Sequence, residues 1–446
     1  MHRLILTLIL LVYLALGALY AVDTPRWEAP DEPAHFNYIR TIGETGRLPI
    51  LAFGDYDGAY LNQIKSALFP ASMSIDAIRY ESHQPPLYYL AATPVYLAAR
   101  AGGLDAEVLA LRLFSVALGA LLLLVAYAIV REIFPADTLL ALATVGAIAA
   151  IPMHIAVSAS VSNDLAAEIV FALILLLAVR RIKNAESDRR FVILGGILFG
   201  AALLTKMTVF VPGALVLAGA EAARARANSG AEKKPELTSH ALNVLLPLFI
   251  LAAVISTPMF IRNLLTYGIA DPLGMARHNA VVLGQPTTAG MIAQYGFSHI
   301  FFDFFAVTFK SFWAQFGWMG VLVNDRIYVV LMALAGAAAF GFALYLLRIQ
   351  RNRDSLNAAQ WGSMGLLMLT VVAALVDYIG YNLEFFQLQG RYLFPALIPI
   401  ALFGVIGLRE LLAREYHRLV FALLYVVLLA LDVASLFLYI VPQLTA

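Results

Sequence analysis

The chain has 446 residues, 61% hydrophobic and 13% charged, and its mean hydropathy is +0.81, whereas soluble domains hold roughly 45–50% apolar and about 25% charged residues. The net charge of +1 gives no electrostatic reason to expect nucleic acid as a partner. There are no cysteines, which excludes disulfides, thiolate metal sites and cysteine nucleophiles.

A crossing helix needs about 20 apolar residues. The first apolar run, 4–22, follows His2 and Arg3 and is followed by AVDTPRW, without a small-x-small cleavage pattern. It reads as a retained span rather than a removed signal. Further runs lie at 108–130, 138–157, 165–182, 191–204, 207–220, 241–261, 327–347, 362–379, 392–408 and 419–440. The basic connectors 180–190, 224–236, 348–354 and 409–418 belong on the cytoplasmic side by the positive-inside rule. Parity between the first two connectors makes 191–220 a hairpin turning near Thr205 and Lys206, although each arm is short and one long helix stays open. The same parity removes 85–101 from the spans and makes it a helix lying in the outer interface.

The result is an all-α polytopic membrane protein with about eleven transmembrane helices, a cytoplasmic amino terminus and one membrane domain, 1–446. Two long external loops remain, 23–107 and 263–326, both with interfacial helices. In the second, FFDFFAVTFKSFWAQFGWMG carries Asp303, Lys310 and Gln315, which fits an amphipathic interfacial helix better than a span.

The first external loop opens with PRWEAPDEPAHF. Pro33 suits a first helical turn, so Asp31 and Glu32 start a helix just beyond the first span, with His35 one turn on. Capping is the bland role for such acids. A second acid–histidine pair, Glu81 and His83, precedes Pro85 and Pro86, where the tyrosines that follow also suit an interfacial anchor. Asp164 starts the fourth span, with Glu168 one turn deeper; Lys206 sits at the hairpin turn, Arg262 ends the seventh span and Arg391 begins the tenth. Charges at membrane depth are costly and usually face a cavity or a partner, and an ion pair such as Glu168 with Lys206 is the structural alternative. Their concentration at outer helix ends suits sugar transfer from a lipid phosphate: an apolar groove for the lipid, Arg or Lys for the phosphate, and a carboxylate base for the acceptor hydroxyl.

The ordered set PDEPAHF, ESHQPPLYY, SVSNDLAAE, GAALLTKMT, TPMFIRNLLTYG and QGRYLFPALIPIAL resembles the GT-C membrane glycosyltransferases. It is similar to the branch holding protein O-mannosyltransferases, lipid A aminoarabinose transferases and further bacterial and archaeal members. The resemblance implies a GT-C fold and an inverting transfer from a polyprenyl-phosphate sugar to a glycan, lipid or protein acceptor at the external face of the plasma membrane. It implies Asp31 as base, Glu81 as an acidic loop residue that helps bind the acceptor, and Arg391, Lys206 and Arg262 as donor-phosphate ligands; Glu32, His35, His83 and Asp164, from the residue pattern itself, are the further acceptor or auxiliary candidates. No cofactor is required on this reading, though a divalent metal near Asp31, His35, Glu81 and His83 stays open. The competing classes are a transporter or flippase of lipid-linked sugars, which predicts charges at the bilayer midplane, and a non-catalytic subunit of an envelope glycan complex.

Overall fold

The computed structural model describes residues 2–229, 237–351 and 356–445. The remainder of the basic connectors, at 230–236 and 352–354, lies outside them. In chain order the elements are α1 (His2–Asp23), α2 (Glu32–Thr45), α3 (Gly58–Ser66), α4 (Leu87–Ala99), α5 (Gly103–Ile133), α6 (Thr138–Ala149), α7 (Pro152–Ser158), α8 (Asp164–Ile182), α9 (Asp188–Leu203) and α10 (Phe210–Ser229). There follow α11 (Leu237–Tyr267), α12 (Met275–Val281), α13 (Thr288–Tyr295), α14 (Phe297–Trp313), β1 (Gln315–Phe316), β2 (Val321–Leu322), α15 (Asp325–Arg351), α16 (Ala358–Glu384), α17 (Leu397–Leu411), α18 (His417–Ala434) and α19 (Val441–Leu444). Two 3₁₀ turns matter for the site, Tyr80–His83 and Gly390–Ala396.

The helix starts follow from local chemistry. Asp137, Ser187 and Asn357 accept backbone N–H groups at the starts of α6, α9 and α16, and Gln360 completes a capping box with Asn357. Pro152 breaks the third apolar run, bending α7 by 68° from α6.

Among the described residues eight helical stretches are long and apolar enough to cross a membrane, nine if the bent pair α6–α7 is one span. The runs at 165–182 and 191–204 fall outside that group: α8 carries Asp164, Glu168, Arg180 and Arg181, and α9 has 16 residues. Both still run between the same two poles as their neighbours. At one pole Arg180 and Lys183 meet Glu132, Arg181 meets Asp188 and Glu221, Arg348 meets Glu410, and Arg409 meets Asp137. The opposite pole carries both long loops.

Contacts at small residues show the helix directions. A methyl on Gly213 would lie 3.2 Å from Phe199 and one on Gly195 3.6 Å from Leu217, so α9 and α10 are antiparallel, as the hairpin reading of 191–220 requires. Methyls on Gly195, Gly196 and Gly200 would meet Leu248, Leu251 and Ile255 in turn, so α11 runs parallel to α9 at close range. Likewise α15 and α17 are parallel: Phe342 stacks on Phe403 at 4.6 Å and Arg348 grips Glu410.

The segment expected to lie in the outer interface is helical, as α4. The Tyr88 hydroxyl is 3.3 Å from Ser115 Oγ, so α4 doubles back along the outer part of α5 and packs on α2. Phe36, Tyr38, Tyr80, Tyr89 and Tyr96 build a second core there, apart from the core between the spans. Likewise, α14 has the expected amphipathic form, with Phe297, Phe301, Phe302 and Phe305 exposed and Ile300 and Ser311 buried.

Candidate active site

Asp31 is the residue before α2, a helix whose first turn contains Pro33. Its backbone is left-handed, at φ 67°, and its side chain makes no capping bond. A non-glycine residue in that region is strained and is held there by its surroundings. The turn aims the carboxylate outward from the helix: Oδ1 accepts from the Tyr80 hydroxyl at 2.8 Å, and Oδ2 accepts from Arg391 Nη2 at 2.6 Å. The side chain remains 27% exposed, so the carboxylate is open to a substrate.

Arg391 enters on the 3₁₀ turn ahead of α17 and is buried. Its Nη1 lies 3.8 Å from Asp164 Oδ2. Asp164 in turn pairs with Lys206 and accepts from Ser162 at 2.9 Å. Thus the Tyr80 turn, the starts of α2 and α8, the α9–α10 turn and the approach to α17 supply one array, Tyr80–Asp31–Arg391–Asp164–Lys206, in which acid and base alternate. Arg391 Nε, Gln389 Oε1 and Asn163 Oδ1 are buried without a hydrogen-bond partner among the described residues. Such atoms are rare in folded proteins.

Burial alone would raise the Asp31 carboxyl, but the Arg391 charge, the nearby His35 and the Tyr80 bond outweigh it and hold it below the ordinary carboxylate value. His35 is buried with Nδ1 2.8 Å from the Tyr89 hydroxyl. Burial lowers its pKa against the opposing charges of Glu81 and Asp31. Glu81 is half-buried and has no ion pair or side-chain hydrogen bond among the described residues.

Three expected site residues are placed elsewhere. Glu32 is fully buried and bound by Arg112 through both oxygens at 2.8 and 2.7 Å, with the N–H groups of Trp27 and Val161 completing its bonds. Both oxygens are taken, so Glu32 faces no acceptor; with Arg112, which also binds the carbonyls of Ala21, Thr24 and Pro25, it fixes the exit of α1. Arg262 donates to the Pro49 carbonyl and to Asn263 and, among the described residues, shares no carboxylate with Arg391 and Lys206. His83 turns to the second long loop, its ring 4.4 Å from that of His278. Burial and the His278 charge push its pKa down to about 3. Glu168, offered as a partner for Lys206, instead pairs with His154 at 3.1 Å. Among the described residues no three His, Asp or Glu side chains converge as metal ligands would, and His83 lies against His278.

Sequence reasoning missed Tyr80 and Arg112. Arg112 had a signal: it is a guanidinium inside the apolar run 108–130, and such a charge needs a partner.

An apolar cavity of about 890 Å³ opens between α1, α6, α15, α17 and α18. Phe312 and Leu397 line the end near Arg391, and His2 and Arg418 line the far end. Phe312 is in direct backbone contact with Gly390, the residue before Arg391.

This arrangement of helices is the GT-C fold of membrane glycosyltransferases. ArnT from Cupriavidus metallidurans bound to undecaprenyl phosphate matches with TM-score 0.54 at 14% identity, over 99% of this chain and 73% of ArnT. The apo form of ArnT matches with TM-score 0.53 at 14% identity, over 93% of this chain and 61% of ArnT. The Archaeoglobus fulgidus oligosaccharyltransferase, in complex with Zn and sulfate, matches with TM-score 0.49 at 15% identity, over 96% of this chain. The chain spans 53% of that enzyme's length. No curated protein matches the sequence. The chain belongs to the family described as predicted membrane protein (DUF2142), which matches residues 71–401.

Proposed function

We propose that this protein is an inverting glycosyltransferase that moves a sugar from a polyprenyl-phosphate donor to an acceptor hydroxyl at the external face of the membrane. The observation that carries this reading is the partly open Asp31 carboxylate bound to buried Arg391, itself linked through Asp164 to Lys206. The apolar cavity ending beside Gly390 is suited to the lipid tail, and ArnT, of the same fold, binds undecaprenyl phosphate. The basic opposite pole supports an external site by the positive-inside rule.

In this mechanism Arg391 and Lys206 bind the donor phosphate, and Asp31 removes the acceptor's proton. The acceptor oxygen forms its bond to the anomeric carbon as the bond from that carbon to the phosphate oxygen breaks, with inversion. The phosphate gains one negative charge and Asp31 loses one, so the local charge is unchanged. Protonated Asp31 then competes less for Arg391, whose guanidinium is released to the leaving phosphate. Donor binding to Arg391 also loosens the pair that holds the Asp31 pKa down, making the carboxylate a stronger base when it is needed. Glu81, which has no ion pair or side-chain hydrogen bond among the described residues, is positioned to bind acceptor hydroxyls.

The test is transfer of radiolabelled sugar from a panel of polyprenyl-phosphate sugars in proteoliposomes, with the anomeric configuration of the product determined. Transfer with inversion supports the reading; a retained configuration contradicts the single-base mechanism.

A further inference from the structure

Seven non-glycine residues among those described have left-handed backbone, and six lie in three loops that meet at one point. They are Trp27 and Asp31 after α1, Leu68 and Phe69 after α3, and Trp318 and Met319 between β1 and β2. With Gly317 at φ 52°, the last loop has three left-handed residues in a row. Such a run is costly for residues with a Cβ and persists where surrounding contacts enforce it. Here Trp318 Nε1 donates to the Trp27 carbonyl at 2.8 Å, and the Trp318 ring stacks on Phe69 with centroids 6.0 Å apart. The strained hairpin tip therefore fixes one tryptophan ring against the loop that presents Asp31.

Lys65 lies over that ring. Its Nζ is 5.1 Å from the Trp318 centroid, and the side chain is half-buried. A lysine in a last helical turn ordinarily extends into water; this one is drawn inward and has no ion pair or side-chain hydrogen bond among the described residues. Burial pulls its pKa down while the nearby Asp31 charge pushes it up. Arg391 and Lys206 each have a carboxylate, whereas Lys65 shares none with them.

We propose that Lys65, held over Trp318, is a subsite for an acidic group, carboxylate or phosphate, carried by the acceptor. The inference rests on Asp31 acting as the base, as set out above. The donor phosphate has its cations on the Arg391 and Lys206 side of Asp31. A second cation that feels the charge of the same base, supplied by the two long external loops instead of the ends of the crossing helices, serves the other reactant. The acceptor class is then an acidic glycan or a phosphorylated lipid saccharide, in preference to a neutral one.

The test uses the full chain in nanodiscs, with equilibrium binding of trigalacturonate, maltotriose and undecaprenyl phosphate. Wild type is expected to bind trigalacturonate more tightly than maltotriose. Lys65→Met is expected to weaken trigalacturonate about tenfold, the loss of one charge-assisted contact, with Lys65→Arg restoring it and undecaprenyl phosphate affinity unchanged. Equal trigalacturonate affinity in wild type and Lys65→Met overturns the proposal, as does a wild type that does not favour the acidic probe. Weakened undecaprenyl phosphate in Lys65→Met also overturns it, because Lys65 then serves the donor. Failure of the donor reading itself is seen separately, as Arg391→Ala retaining full undecaprenyl phosphate affinity.

Discussion

Asp31 and Arg391 are 360 residues apart in the chain and 2.6 Å apart in space, carboxylate oxygen to guanidinium nitrogen. No local structural need brings them together, since α2 begins without a capping bond from Asp31. Replacing Arg391 by Ala is expected to weaken polyprenyl phosphate binding by about ten- to a hundredfold, the range for one charged hydrogen-bonding group. Arg391→Lys should recover part of it, since a point charge lacks the planar fork. Equilibrium binding in nanodiscs checks both.

Arg262 gives the contrasting case. Its guanidinium is engaged by the Pro49 carbonyl and Asn263. Arg262→Ala should leave polyprenyl phosphate affinity within about twofold of wild type, because no charged contact to the phosphate is removed. A loss comparable to that of Arg391→Ala would return Arg262 to the phosphate site.

Glu32 and Asp31 are neighbours with opposite expected phenotypes. Glu32→Ala strands the Arg112 charge, whose side chain is 2% exposed, and should cost about 3–5 kcal/mol of stability. Thermal unfolding should show this loss, with donor binding failing only as the fold fails.

Helix packing gives a further stability test. A methyl on Gly407 would overlap the Ala338 carbonyl oxygen where α15 and α17 touch. Gly407→Ala should therefore destabilise by about 1–3 kcal/mol, the usual effect of overpacking, whereas Gly404→Ala, with open space around it, should not.

His83 makes stability depend on pH. Its folded pKa, about 3, lies below the ordinary histidine value, so the unfolded chain binds the extra proton first on acidification. Its contribution is complete above the ordinary value and is lost as pH falls from about 6.5 towards 3. Glu28 acts in the opposite sense: burial and the Glu32 charge raise it to about 7, so its protonation favours the fold as pH falls through that region. The readout is thus the difference between wild type and His83→Gln, whose unfolding temperature should fall less steeply below pH 6.5.

The path of the chain was legible because apolar length and basic connectors act together: parity alone made 191–220 a hairpin, and the Gly213–Phe199 contact is its physical expression. Asp31, Asp164, Lys206 and Arg391 were legible as charges at helix ends, where apolar surroundings leave few roles. Their partners were not, because pairing is a tertiary matter. Glu32 and Asp31 are adjacent and chemically alike, and only the fold separates them, sending one to Arg112 and the other to Arg391. Trp318 was illegible for a similar reason: GWMG gives no hint that three successive residues turn left-handed against a loop some 290 positions earlier.

The central claim, that Asp31 is the base of a sugar transfer from a lipid phosphate, is tested most directly by Asp31→Asn in proteoliposomes supplied with radiolabelled polyprenyl-phosphate sugar. The account predicts that turnover is lost while undecaprenyl phosphate binding and the unfolding temperature are retained. Transfer at a near wild-type rate by Asp31→Asn would contradict it.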